Sequence, residues 1–231
     1  MRKTLAIFKK QLKDIWHNKS VLLQFALLPI LALTMGYLMP EDIMPKQNIA
    51  AMFTTMYVGM IPLSSICAII AEEREKGTLR SLRMANVSGG QYLLGIGSCL
   101  LVESLFGVAI FSILGGYSGF DLAQYVAISV LGILTSLLLG ATIGLVAKNQ
   151  MSSTSLSAPI AILLSFMPTM AGMNDEIAKV AKYLYTQQLN NLLQDIGNKP
   201  FTSERLIILD SNIAVFSLLF AIIYHKKGLR D

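Results

Sequence analysis

The amino-acid sequence predicts an all-α membrane protein with six transmembrane helices, and three observations carry that prediction. Of its 231 residues 54% are hydrophobic and only 14% are charged, against about 25% charged in ordinary soluble domains. Six apolar runs of about 20 residues, the length that crosses the hydrocarbon of a bilayer, lie at 20–39, 48–71, 92–115, 125–147, 153–173 and 206–224. The Lys and Arg residues fall unevenly around those runs. Six lie in 1–19, four in 72–91, one at Lys148 and three in 225–231, whereas the alternate connections hold Lys46, Lys179, Lys182, Lys199 and Arg205. Lys and Arg accumulate in cytoplasmic loops, so this split places both termini on the cytoplasmic side of a multi-pass membrane protein.

The net charge of +5 does not mark a nucleic-acid binder, because the basic residues sit between apolar runs and form no single stripe. Their placement suits an anionic leaflet of the lipid bilayer. Cys67 and Cys99 both lie inside apolar runs, which gives neither a disulfide framework nor a CxxC metal site. Residues 1–19 put Leu5, Phe8, Leu12 and Ile15 or Trp16 on one helical face, with Lys9, Lys10 and Lys13 directed elsewhere. That is the pattern of an amphipathic helix in the membrane interface, acting as an anchor or as a docking element.

Within the spans, Pro29, Pro62, Pro159 and Pro168 each remove a backbone donor. The fourth span carries Gly132, Ser136, Gly140 and Gly144 at four-residue spacing, a ridge of small residues that lets another helix come close. Glu103 lies near the middle of the third span, where a carboxylate costs on the order of 3 kcal/mol to insert. It therefore needs a polar partner or a polar path; a structural hydrogen-bonding role and a place on the substrate path are both open. The outer segment 174–205 contains KYLYTQQLNNLLQDIG, with Tyr185, Leu189, Leu192, Leu193 and Ile196 on an apolar side and Gln187, Gln188, Asn191 and Asp195 on a polar one. Its polarity suits an interfacial or re-entrant helix better than a span.

The loop 72–91 reads EEREKGTLRSLRMANVSGGQ, and Leu79 and Leu82 recur in it at helical spacing. A short helix here would offer a compact charged and apolar surface to another protein, and two copies in a dimer would form a paired platform. The run Glu73-Arg74-Glu75-Lys76-Gly77-Thr78-Leu79 closely resembles the ERExGTL signature of ABC-2 type permeases, and it lies, as theirs does, between the second and third of six spans. The resemblance implies an ABC-2 exporter (type V-like) fold in the bacterial cytoplasmic membrane, covering residues 1–231 as one transmembrane domain. It implies that Glu72, Glu73, Arg74, Glu75, Lys76, Gly77, Thr78 and Leu79 couple the chain to an ATPase, and that the outer segment caps the translocation route. The expected partners are two copies of an ABC ATPase subunit and a second permease, identical or similar. Many members carry a Pro a few residues after the signature, where this chain has Ala85, Asn86, Val87 and Ser88.

No GxxxxGK[ST] loop occurs, so no cofactor is expected in this chain; ATP and Mg are expected on the partner ATPase. The loops leave no room for a fused ATPase domain. Cargo classes consistent with the family are hydrophobic or amphipathic drugs and antimicrobial peptides, with lipids or lipid-linked glycans as the alternative. An ATPase-independent immunity protein is a further reading, which leaves the signature loop without a purpose. An intramembrane protease of the EExxxR kind is disfavoured, because position 77 is Gly and the only histidines are His17 and His225. Cysteines replacing Lys46, Phe120 and Lys199 should react with an impermeant thiol reagent from outside, and those replacing Lys13, Lys76 and Lys227 only after permeabilisation. Labelling of position 76 in intact cells would overturn the orientation.

Overall fold

The computed structural model describes residues 2–197 and 203–227. Lys199, with the rest of 198–202 in the expected outer segment, and Arg230, among the terminal basic residues, lie outside the described residues. Within them the chain is all helical: α1 (Arg2–His17), α2 (Lys19–Leu38), α3 (Lys46–Glu75), α4 (Thr78–Met84), α5 (Gly89–Leu114), α6 (Gly119–Val146), α7 (Gln150–Ala171), α8 (Asp175–Ala181), α9 (Tyr185–Asp195) and α10 (Ser203–Lys227). Six of these, α2, α3, α5, α6, α7 and α10, are long and apolar enough to cross a membrane.

The spans are set mostly by the same apolar runs, with polar residues marking their ends. Asn18 accepts hydrogen bonds from the Ser20 and Val21 amides at the start of α2, and Asn149 accepts one from Ser152 at the start of α7. Ser88 and Gln91 form a reciprocal capping box at the start of α5. Just beyond α4, Asn86 takes a left-handed backbone, φ 58°, of the kind that closes a helix C-terminus.

α3 is the central helix, packed by α2, α5, α6, α7 and α9. α6 lies closest, and the small-residue ridge is its contact face. A Cβ on Gly140 would stand 2.3 Å from the Leu63 carbonyl oxygen, and one on Gly144 would stand 3.2 Å from Cys67 Cα. Pro62 leaves the carbonyl four residues earlier, that of Val58, without its helical donor. Ser136 of α6 supplies one: its Oγ lies 2.6 Å from the Val58 oxygen, and 2.8 Å from the Tyr185 hydroxyl, which can donate to it in turn. α7 joins on another side of α3, where Ser165 Oγ donates to the Met56 carbonyl at 3.0 Å and Ser153 Oγ lies 3.0 Å from Cys67 Sγ.

The expected outer segment forms α8 and α9, and α9 is set among α3, α6, α7 and α10. Tyr185, Leu189, Leu192, Leu193 and Ile196 are all buried, but so are Thr186, Gln188 and Asn190 on the other sides of the same helix. α9 is therefore enclosed by protein on several faces, while Gln187 and Asn191 are half-buried and Gln194 is exposed. Asp195, expected on that polar side, pairs with Arg205 of α10. α2 and α10 are peripheral, and many of their apolar side chains face outward.

The contact at Gly140 is backbone against backbone, so a side chain there cannot be absorbed by a rotamer change. Gly140→Val is expected to lower the thermal unfolding temperature sharply in detergent, by overpacking worth about 1–3 kcal/mol. Gly90→Ala, where a Cβ meets nothing within 4 Å, should change it little.

Candidate functional site

At one end of the bundle the signature residues form a corner between α3 and α4. The stretch expected as a loop from residue 72 is helical further than that: Glu72, Arg74 and Glu75 complete the last turns of α3 with Glu73. The chain breaks only at Lys76 and Gly77 before α4 begins at Thr78. Gly77 has φ +67° and open space around a would-be Cβ, so glycine is needed there for its backbone and not for room. Leu79, 2% exposed, anchors α4 in the main core.

Three consecutive side chains then reach three other helices. Glu73 is 8% exposed, and its Oε1 accepts a hydrogen bond from Lys10 Nζ of α1 at 2.5 Å. Arg74 Nη1 donates to the carbonyls of Ala147 at 2.5 Å and Leu145 at 3.2 Å, satisfying orphan acceptors at the C-terminus of α6. Glu75 Oε2 accepts from the Gln150 amide at 2.9 Å, at the N-terminus of α7, where the helix dipole favours a negative charge. Arg74 and Glu75 thus grip the short α6–α7 connection from its two ends. Glu72 is half-exposed and pairs with Lys76 at 2.5 Å, a bond that raises the Lys76 ammonium above its usual range.

α1 completes the corner. Lys3 Nζ donates to the Asn86 carbonyl at 2.7 Å, tying the start of α1 to the end of α4. Ile7 packs on α5, where a Cβ on Gly95 would stand 2.8 Å from it. The face of α1 that meets protein holds Ile7, Gln11 and Ile15, not the expected Leu5 and Trp16, which are 53% and 63% exposed. Phe8 and Leu12 are half-buried between the two faces. Lys10, expected off the apolar face of the helix, is the ion partner of Glu73. Sequence reasoning missed Lys3, Lys10 and Gln150; only the Asn149 N-cap pattern ahead of Gln150 hinted that a helix start, receptive to a carboxylate, lay there.

The outward side of α4 holds Arg80, Ser81 and Met84, and Met84 is 75% exposed. Of the eight residues expected to couple, Glu73, Arg74, Glu75 and Leu79 are engaged inside the chain. Glu72, Lys76, Gly77 and part of Thr78 are presented outward beside this face.

Glu103 is not part of this corner. It lies on α5, about 21 Å along the axis from Gly89 at 1.5 Å per residue. It is 7% exposed, and neither carboxylate oxygen has a hydrogen-bond partner among the described residues. The hydroxyls of Ser104 and Tyr57 are likewise buried and unpartnered. Tyr57 lies over Gly107, one turn further along the same face of α5.

A family model described as ABC-2 type transporter matches residues 2–185, from α1 to the start of α9, including the whole corner. Comparison with curated proteins gives no match. The Lys10–Glu73 pair predicts a charge-swap result. Glu73→Lys should cost about 2 kcal/mol, near the low end for a buried hydrogen-bonded ion pair, because the Lys10 side chain is 44% exposed. The double variant Lys10→Glu/Glu73→Lys should recover at least half of the lost unfolding temperature. No recovery would mean that Glu73 acts elsewhere.

Proposed function

The chain belongs to the ABC-2 type transporter family, and from that premise we propose that it is the permease of an ATP-driven exporter in the bacterial cytoplasmic membrane. Its motor is a separate ABC ATPase, present as two copies that bind ATP and Mg, working on a dimer of this chain or of this chain with a similar permease. The corner of α3 and α4 faces the cytoplasm with both termini. The cargo is a hydrophobic or amphipathic molecule such as a drug or an antimicrobial peptide.

One observation carries this reading: a short helix, α4, follows the family signature with an outward face of Arg80, Ser81 and Met84, while its inner side is pinned by Leu79. That arrangement separates contact from transmission. The outward face of α4 meets the ATPase, and Glu73, Arg74 and Glu75 pass its displacement to α1, α6 and α7. Their internal bonds support a transmitting role for these three and direct docking for the residues left outside.

Under this reading, Arg80→Glu with Met84→Asp should abolish co-purification of the ATPase encoded beside this gene and lose coupled efflux from reconstituted vesicles, while the purified permease unfolds at its normal temperature. Interface charge contacts commonly contribute about 2–5 kcal/mol when truncation leaves the partner group buried and unpaired, enough to lose the complex at micromolar concentration. Normal capture and normal coupled efflux with both substitutions would remove α4 as the docking element.

A further inference from the structure

Midway along α5 the bundle encloses polar side chains that the corner does not use. Glu103 and Ser104 of α5 and Tyr57 of α3 are 7%, 0% and 0% exposed. Both Glu103 oxygens, the Ser104 hydroxyl and the Tyr57 hydroxyl have no hydrogen-bond partner among the described residues. Unmet polar atoms enclosed in an apolar bundle are costly, and an ionised carboxylate is the costliest of them.

No cation of the surrounding helices offsets that charge. The helices packed on α5 are chiefly α1, α2, α3 and α6. α5 and α6 contain no Lys, Arg or His, and α2 and α3 carry theirs only in their end turns, as Lys19, Lys46 and Arg74. α1 meets α5 at Gly95, about 12 Å along the axis from Glu103. The titratable neighbours of Glu103 are the Tyr57 hydroxyl on α3 and the Cys99 thiol, one turn earlier on α5. Tyr37 lies in the last turn of α2, and Asp121 and Tyr125 lie in the first two turns of α6.

The packing limits what can answer the carboxylate. A Cβ on Gly107 would stand 2.5 Å from Tyr57 Cζ, and Phe25 of α2 and Phe111 of α5 meet the Tyr57 ring edge-on at 6.4 and 5.4 Å between centroids. A proton is the cation that needs no cavity. Placed on Glu103 it cancels the charge and adds a donor, which a serine or tyrosine oxygen can accept.

An approach exists from one side. A cleft of about 560 Å³ beside the corner, lined by α1, α2 and α3, reaches α5 at Leu100. Glu103 and Ser104 follow Leu100 by three and four residues, on the same side of the helix and about 5–6 Å further along. Ser65, in the cleft wall, is 7% exposed, and its hydroxyl is also unpartnered. Asp14 and Lys76, exposed at the same cleft, put it in contact with solvent.

We propose that Glu103 is a proton-binding site, loaded from the corner side through this cleft past Ser65. One carboxylate oxygen takes one proton from solvent, one O–H bond forms, and the negative charge is cancelled. With the proton in place α2, α3 and α5 can pack around a neutral acid; without it they enclose a bare charge. The site goes beyond the permease reading and holds for any cargo.

The test is infrared difference spectroscopy of the full chain in nanodiscs of ether-linked phosphatidylcholine, which has no ester carbonyl to mask a carboxylic acid band. Empty discs are subtracted. At neutral pH the wild type is expected to show one protonated carboxyl that Glu103→Gln, matched in size, lacks. In the wild type alone that band should bleach on moving to alkaline pH, with a carboxylate band gained in its place, and should shift on transfer to heavy water. Ser65→Val, which replaces the wall hydroxyl by apolar bulk, should slow the shift in heavy water at least tenfold. A wild type with no protonated carboxyl at neutral pH, or with one that neither bleaches nor exchanges, would overturn the site. Exchange left unchanged by Ser65→Val would overturn loading through the cleft. The wild-type spectra need no variant to fold and no ATPase. A negative result therefore leaves the α4 docking reading standing, and a failure of α4 docking leaves this site intact.

Discussion

The end of α3 is where this bundle is tied together, by three consecutive side chains that each finish on a different helix. Successive residues on a helix point about 100° apart, so Glu73, Arg74 and Glu75 can only be satisfied at once if partners surround the helix end. They do: Lys10 of α1, the last carbonyls of α6 and the first amide of α7. Glu73 and Arg74 are too enclosed to be left to water, and a buried charge without a partner is strongly unfavourable. The positions of α1, α6 and α7 around α3 are therefore conditions for these charges to exist in the folded chain, and the family signature becomes a description of that geometry.

Further along α3, toward the α9 end, the ruling constraint is that no water is at hand for backbone groups in a bilayer. Pro62 breaks one helical hydrogen bond, and the repair comes from outside the helix, through Ser136 and then Tyr185. That repair needs α6 close, and the closeness is bought by Gly140 and Gly144, whose missing side chains let α6 lie against the Leu63 and Cys67 backbone. Tyr185 in turn belongs to α9, so burial of the polar α9 and the kink-prone residue of α3 are two parts of one arrangement. This explains why Thr186, Gln188 and Asn190 are found inside.

The six spans were legible because each is a long apolar run bounded by polar or basic residues, and composition alone decides that. The α6 ridge was legible for a similar reason: Gly132, Ser136, Gly140 and Gly144 recur on one face, and only a close neighbour makes use of such a face. What periodicity could not reveal was which surface of α1 meets protein. Its apolar stripe is wide enough to serve two neighbours, and the tertiary fold gave Ile7 and Ile15 to the core and left Leu5 and Trp16 outside. The signature was recognisable as a motif, but its charges read as a surface for another protein, since nothing local in EEREKG announces that Arg74 and Glu75 will meet the two ends of a connection some 70 residues later. Glu103 was legible as an anomaly; its isolation from the corner, with Tyr57 and Ser104 as equally unpartnered neighbours, depends on how α3 and α5 face each other.

If α4 is where an ATPase pushes, the architecture fixes where the push goes. Lys76 and Gly77 form the break between the two helices, and Gly77, with φ +67° and nothing near it, is the point at which α4 can change its angle to α3 without a clash. Two other ties oppose a free swing: Leu79 seated in the core, and Lys3 holding the end of α4 to α1. A displaced α4 must therefore carry α1 with it, and α1 is bonded through Lys10 to Glu73 at the end of α3. Both routes converge on α3, whose close contacts with α6 and α7 leave it little freedom to move alone.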